Sequence, residues 1–221
     1  MKVFTHNKPA ALLESFKQSV QQRQVIGGRV YETPNGKLYP SVTTVTGFKK
    51  KDFFARWRAE NPEESRRVLS RGNSLHKITE KYLMNEGEPS PDDPIALSLF
   101  RKIQSEIDKI DNIHLLESPL YSDLLCMAGR VDCIGEYDGT LSVIDFKTST
   151  RKKYASDIAD YFMQVTAYAI MYMEHTKIPI KNVVIIMSCD DGTSETYQAD
   201  PKDYVVSLRE TIKDYQAQLV A

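Results

Sequence analysis

The chain has 221 residues, of which 41% are hydrophobic and 27% charged, with a formal net charge of −1. Those totals are ordinary for a globular protein with room for a sizeable core, and no apolar run approaches the roughly 20 residues that a membrane span needs. A near-neutral balance is also not the global signature of a nucleic-acid binder, so a site for a polyanion has to come from local clustering.

Residues 9–22 are expected to form a short helix. GGRVYET, the turn PNGK and LYPSVTTV read as a hairpin with β-branched strands. FKKKDFFARWRAE follows as a helix, and Asn61 before Pro62 marks a boundary. Residues 63–84 place Val68, Leu69, Leu75, Ile78, Tyr82 and Leu83 at roughly helical spacing and predict one long helix. The polar, Pro-rich NEGEPSPDDP leads to another helix over 94–110, with Ile95, Leu99, Ile103 and Ile107 on one stripe.

Three strands come next, at about 113–121, 126–137 and 140–148, and then a helix at 156–175. NVVIIMSC at 182–189 is a continuous apolar run, the mark of a strand buried on both faces. A weaker strand near 194–199 and a helix over 201–221 close the chain. The second half reads α-β-β-β-α-β: an α/β fold with a mixed central sheet flanked by helices. Its crossover should make strands 140–148 and 182–189 parallel.

The chemistry concentrates in AGRVDCIGEYDGTLSVIDFKTST, residues 128–150. Asp138-Gly139 between apolar alternations signals a two-residue type I′ turn. That turn pairs Tyr137 with Thr140, sets Asp132 opposite Asp145 and sets Arg130 opposite Lys147. Alternation then puts Asp132, Asp145 and Lys147 on one face, and Val131, Cys133, Ile144 and Phe146 on the other. Opposed carboxylates repel, and a divalent cation between them removes the conflict; two carboxylate oxygens, a backbone carbonyl and water suit Mg²⁺ or Mn²⁺. Lys147 reaches the same spot and can hold an attacking water or a phosphate oxygen. The combination points to phosphodiester hydrolysis. The alternative is a solvated hairpin in which Lys147 merely pairs with one of the acids.

His76 and Glu80 stack at i and i+4 on the long helix, and a neutral imidazole is a candidate third ligand. Gln164 and Tyr168 share a stripe of the later helix; Gln164 can orient a water or phosphate, while Tyr168 can stack on a base or fill the core. Glu117, near a strand end, can reach the cluster or face solvent. FKKKDFFARWR interleaves Lys49, Lys50, Lys51, Arg56 and Arg58 with Phe53, Phe54 and Trp57, a recipe for single-stranded nucleic acid. Phe53 and Phe54 taken singly read as core. Arg66, Arg67 and Arg71 extend the positive charge towards His76, and Lys152 and Lys153 add to it. Cys126, Cys133 and Cys189 form no C-x-x-C and fit a reducing compartment.

RGNSLH, GRVD, IDFKTS and QVTAY, in this order, resemble the PD-(D/E)-x-K nuclease superfamily in its RecB-like branch. The layout is most similar to the mitochondrial genome maintenance exonuclease group and its phage and bacterial relatives, over about residues 39–200. The resemblance implies a metal-dependent DNA exonuclease preferring single strands. His76, Asp132 and Asp145 would be the metal ligands, with the Phe146 carbonyl completing the site. Lys147 would be the catalytic lysine, Gln164 and Tyr168 the supporting Q-x-x-x-Y pair, and Glu80 an accessory position. DNA would run over Lys49, Lys50, Lys51, Trp57, Arg71 and Tyr168, with residues 1–62 as an extension contacting it, 63–200 as the nuclease core and 201–221 as a C-terminal helix. Without a secretory signal or an Arg- and Ser-rich presequence, the expected setting is the cytoplasm of a bacterial or phage-infected cell. A duplex or structure-specific endonuclease of the same fold, and an inactive nucleic-acid-binding module, are the alternatives.

Overall fold

The structure is a computed structural model and describes residues 2–10, 12, 21–25, 28–87 and 94–220. In chain order it contains β1 (Gln21–Val25), β2 (Gly28–Glu32), β3 (Leu38–Pro40), α1 (Val42–Thr46), a 3-10 turn (Phe48–Lys50), α2 (Lys51–Glu60) and α3 (Pro62–Leu83). Then come α4 (Pro94–Ile107), β4 (Ile110–Ser122), β5 (Met127–Tyr137), β6 (Thr140–Ser149), a 3-10 turn (Ala155–Ile158), α5 (Ala159–Thr176), β7 (Asn182–Cys189), β8 (Ser194–Ala199) and α6 (Lys202–Val220). Among the described residues, no helix is long and apolar enough to cross a membrane.

Strands β4–β8 form a sheet in sequence order, antiparallel except for the parallel pair β6/β7. This is the mixed sheet flanked by helices that the sequence predicts. Asp138 and Gly139 both have positive φ (52° and 76°), as a type I′ turn requires, and Tyr137 pairs with Thr140. One face of the sheet packs Ile134, Val143, Ile185 and Met187 against Val165 and Tyr172 of α5 and Leu208 of α6. The other packs Cys133, Ile144, Phe146, Val184 and Ile186 against Leu75 of α3 and Leu99, Phe100 and Ile103 of α4. β7 is buried on both faces, which is why its sequence is continuously apolar.

α3 begins with Pro62 in its first turn, followed by Glu63 and Glu64, and ends with Lys81, the charge order that its dipole favours. A second sheet, β1-β2-β3, is antiparallel and joins β5 through the bridge Ser41↔Ala128.

Several expectations need correction. VTTV, after Ser41, is helical, not a strand. Ser41 caps α1 by accepting from the Thr44 N–H (3.0 Å), and this local bond outweighs the β-branched composition. Residues 21–25 form a strand rather than the end of a helix; 11 and 13–20, on which most of that expected helix falls, lie outside the described residues. Val131 packs with the α5 face rather than with Cys133, Ile144 and Phe146. Phe53 and Phe54 are 59% and 43% exposed, so they are not core.

Gly129 of β5 lies against Tyr168 of α5: a Cβ there would stand 2.5 Å from the phenol oxygen and 3.1 Å from Cε1. Gly129→Ala is expected to destabilise the protein by about 1–3 kcal/mol through overpacking. Combining it with Tyr168→Phe should recover part of the loss, because the two changes share one contact. Urea unfolding of both singles and the double checks this; additive costs would refute it.

Candidate active site

The β5–β6 ladder follows the predicted register only as far as Cys133↔Ile144. Beyond it the two strands part: β5 stays paired with β4 (Ser118↔Val131, Pro119↔Arg130) and β6 with β7 (Asp145↔Ile185, Lys147↔Met187). Asp132 and Asp145 are therefore not a ladder pair, and Arg130 does not face Lys147. Instead the Asp132 carboxylate bridges the gap: its Oδ2 accepts the Phe146 N–H at 3.0 Å. Phe146 thus enters the site through its amide, while its side chain is core.

The divergence brings the expected acids and lysine together. Asp145 is 2% exposed; its Oδ1 accepts from Gln164 Nε2 at 3.1 Å, and its Oδ2 lies 2.5 Å from Lys147 Nζ. The Lys147 ammonium also sits 5.2 Å from the Tyr161 ring centroid, a cation–π contact invisible in the sequence. Burial raises the Asp145 pKa; Lys147 opposes that shift and Asp132 adds to it. Burial works against the Lys147 charge, but Asp145 and Asp132 outweigh it and hold its pKa above the ordinary value.

His76 reaches the cluster from α3. Its Nδ1 is 3.5 Å from Asp132 Oδ2 and 3.6 Å from Glu117 Oε1. Burial disfavours the imidazolium, yet Asp132 and Glu117 prevail and push its pKa up to about 9. Glu117 lies within β4, between the pairs Leu116↔Cys133 and Ser118↔Val131, which sets it beside Asp132. Its φ of +43° is a left-handed conformation that glutamate rarely adopts. No sequence rule places that kink, so the sequence underrates Glu117. Ligand atoms of His76, Glu117 and Asp132 all lie within 4.8 Å of one another. Of the expected trio, His76 and Asp132 lie in this cluster with Glu117, while Asp145 stands beside it in contact with Lys147 and Gln164. Two carboxylates and one imidazole form a donor set suited to Mg²⁺ or Mn²⁺, so the residues fit a divalent cation.

These groups open into a cavity of about 400 Å³ whose lining includes His76, Glu80, Glu117, Asp132, Lys147, Gln164 and Tyr168. Glu80 is half-buried, and burial and Glu117 raise its pKa. Tyr168 is 3% exposed and packs in the core, so it lines the wall but offers no face for a base. Arg29, Ser41, Thr43, Asn73, Lys77 and Arg130 also line the cavity. The sequence gives no sign of Arg29, because its place depends on how the N-terminal sheet docks.

The basic residues expected to bind DNA lie elsewhere. Arg71 is buried and ion-paired with Asp190, and it lines a separate cavity of about 620 Å³. Lys49 pairs with Asp214 (2.7 Å) and Lys50 with Asp160 (2.9 Å). Lys51 is exposed and Trp57 half-buried, and neither lines the catalytic cavity.

The sequence profile of the PD-(D/E)XK nuclease superfamily matches residues 55–220. The chain belongs to this superfamily, whose nucleases use divalent metal ions. Among curated proteins it is similar to mitochondrial genome maintenance exonuclease 1 of Mus musculus, with 30% identity over 139 residues, 59% of this chain and 40% of that one. The Homo sapiens protein of the same name matches at 26% over 136 residues, again 59% and 40%. The matched region thus spans well under half the length of these relatives. A crystal structure of a candidate exonuclease from Eubacterium rectale aligns with a TM-score of 0.47 and 10% identity, over 69% of this chain and 66% of that one.

The raised His76 pKa gives a signed pH dependence. Its contribution to the stability of the metal-free protein is fully present below the ordinary value of 6.5 and is lost as pH rises through about 9. A cation needs the neutral imidazole, so Mn²⁺ affinity should increase across the same window. Thermal melting with and without Mn²⁺ should show a stabilisation that grows with pH. A metal effect that is flat across this window would contradict the assignment of His76.

Proposed function

We propose that this chain is a metal-dependent deoxyribonuclease acting as an exonuclease on single-stranded DNA with Mg²⁺ or Mn²⁺. The carrying observation is the joint placement of His76, Glu117, Asp132 and Lys147 on one cavity, with the buried Asp145 behind its wall against Lys147 and Gln164. Exonuclease relatives support the direction of attack from an end. The near-neutral total charge and the small cavity favour a single strand over a duplex lying flat on a basic face. A setting in DNA replication, recombination or repair, in a bacterial or phage-infected cytoplasm, accompanies this reading.

Asp132, Asp145, His76 and Glu117 would hold the cation, with the Phe146 carbonyl as a backbone ligand. When bound, such a cation lowers the pKa of water and stabilises negative charge on phosphate oxygens. The chain's own residues do the positioning. The Phe146 N–H fixes the Asp132 carboxylate, and Gln164 fixes Asp145, so both acids are held before substrate arrives. Lys147 keeps its ammonium protonated at neutral pH, directed by Asp145 and Tyr161. It donates hydrogen bonds to the attacking water or to a non-bridging phosphate oxygen, whose charge grows as the nucleophile adds. The half-buried Glu80, on the cavity wall, is an accessory acid.

Lys147→Met should lower kcat by about 10²- to 10³-fold, the loss expected on removing one donor to a developing oxyanion. Asp145→Asn should abolish cleavage, and chelation should silence the wild type. The substrates that decide the reading are end-labelled single- and double-stranded oligonucleotides with either end blocked, together with a circular single strand. An exonuclease leaves the circle intact; cutting it would establish an endonuclease instead. A metal-replete wild type that cleaves nothing would leave only a binding module.

A further inference from the structure

A third cavity, of about 410 Å³, opens on the side of the molecule where β2, β3 and the Phe48–Lys50 turn meet the end of α6. Its lining includes Gly28, Arg29, Leu38, Phe48, Lys51, Tyr215 and Leu219. Arg29, an exposed residue of β2, also lines the catalytic cavity. Otherwise the linings divide along β2, with Tyr31 on the catalytic cavity and Gly28 and Val30 on this one, so the two hollows adjoin at that strand.

The chemistry of this groove is one-sided. Among the described residues its lining holds two cations, Arg29 and Lys51, and no acid. Asp214, the residue before Tyr215, is already paired with Lys49 at 2.7 Å. Phe48 and Tyr215 are both half-buried and meet edge to face with centroids 5.8 Å apart, and Lys49 Nζ lies 5.8 Å from the Phe48 centroid. Leu38 and Leu219, 58% and 69% exposed, extend the apolar wall. Cations for phosphates beside rings and apolar surface for bases are what a single strand requires. The volume is at the low end for a small-ligand site and suits roughly one nucleotide.

We propose that this groove carries a segment of single-stranded DNA running out of the catalytic cavity, with Arg29 and Lys51 on its phosphates and Phe48 and Tyr215 against its bases. This rests on the nuclease reading and adds to it a path and an exit side, formed by the N-terminal sheet and the C-terminal helix. Neither residues 48–51 taken as a basic run nor Tyr215 taken as a helix residue reveals this: Tyr215 is 167 positions from Phe48 in the chain, by difference of their numbers.

The test uses the full chain with Ca²⁺, oligothymidylates of increasing length, and the variants Lys51→Glu and Tyr215→Leu. Lys51 is exposed, so its variant should fold normally, and melting curves verify both. For strands long enough to leave the catalytic cavity, each change should weaken binding about tenfold. Lys51→Glu should also flatten the slope of log K against log[salt] by about 0.7 or more. For the shortest oligonucleotides, confined to the catalytic cavity, the variants should match the wild type. Losses of equal size at all lengths, no loss at any length, or equal effects on a blunt duplex would overturn the proposal. A wild type that binds no strand and cleaves none would overturn the nuclease reading itself, a result distinct from intact cleavage with unaffected variants.

Discussion

The whole site depends on the point where β5 and β6 stop pairing. Past Cys133↔Ile144 the two strands no longer pair with each other, each stays paired with its outer neighbour, and the Asp132 carboxylate takes the Phe146 N–H. Had the ladder continued, backbone would occupy the space that the two acids and the lysine now share. Taking a charge out of water costs several kcal/mol per ion, so a buried carboxylate needs partners on every side. Asp145 has Lys147 on one oxygen and Gln164 on the other. Asp132 has the Phe146 amide and His76. The wedge is tolerable because burial of the acids is offset by Lys147 and the Phe146 amide from β6 itself, by Gln164 from α5 and by His76 from α3.

Those donors come from both layers of the fold. α3 packs on the face that contains Ile144 and Phe146 and delivers His76; α5 packs on the opposite face and delivers Gln164. A site fed from two layers can form only once both cores are packed, which ties its geometry to global folding rather than to a loop. The same dependence makes the close approach of Gly129 to Tyr168 consequential, since it sets how near α5 comes to β5.

Local signals in the sequence carried far. Asp138-Gly139 specifies a turn that needs positive φ twice, and from it the register follows residue by residue to Cys133↔Ile144. The apolar run of β7 and most of the stripes of α3 and α4 are equally local, although Leu69 and Ile95, expected on those stripes, are exposed. What the sequence hid is non-local or conformational. Arg71 looks adjacent to His76, but five residues turn a helix by about 140° beyond a full circle, and the guanidinium goes to Asp190 instead. Glu117 depends on a left-handed kink, Arg29 on the docking of a separate sheet, and Tyr161 on the reach of Lys147 across to α5.

The arrangement of charge resolves a conflict built into any metal-assisted attack on a polyanion. A cation site needs dense negative charge, and that charge repels the substrate. Here the two signs are separated by depth. Asp132 and Asp145 are nearly buried, whereas the Arg130 side chain is 58% exposed and Arg29 and Lys77 are exposed at the rim. An approaching phosphate meets the rim cations first, in a medium where they are screened over about 8–10 Å. The acids act at shorter range, through a drier and less screened environment. Because both fields are local, the chain total of −1 says nothing against a nucleic-acid substrate. Layering by depth, rather than a surplus of lysine and arginine, is how this near-neutral chain can present both a cation site and an anion-attracting mouth.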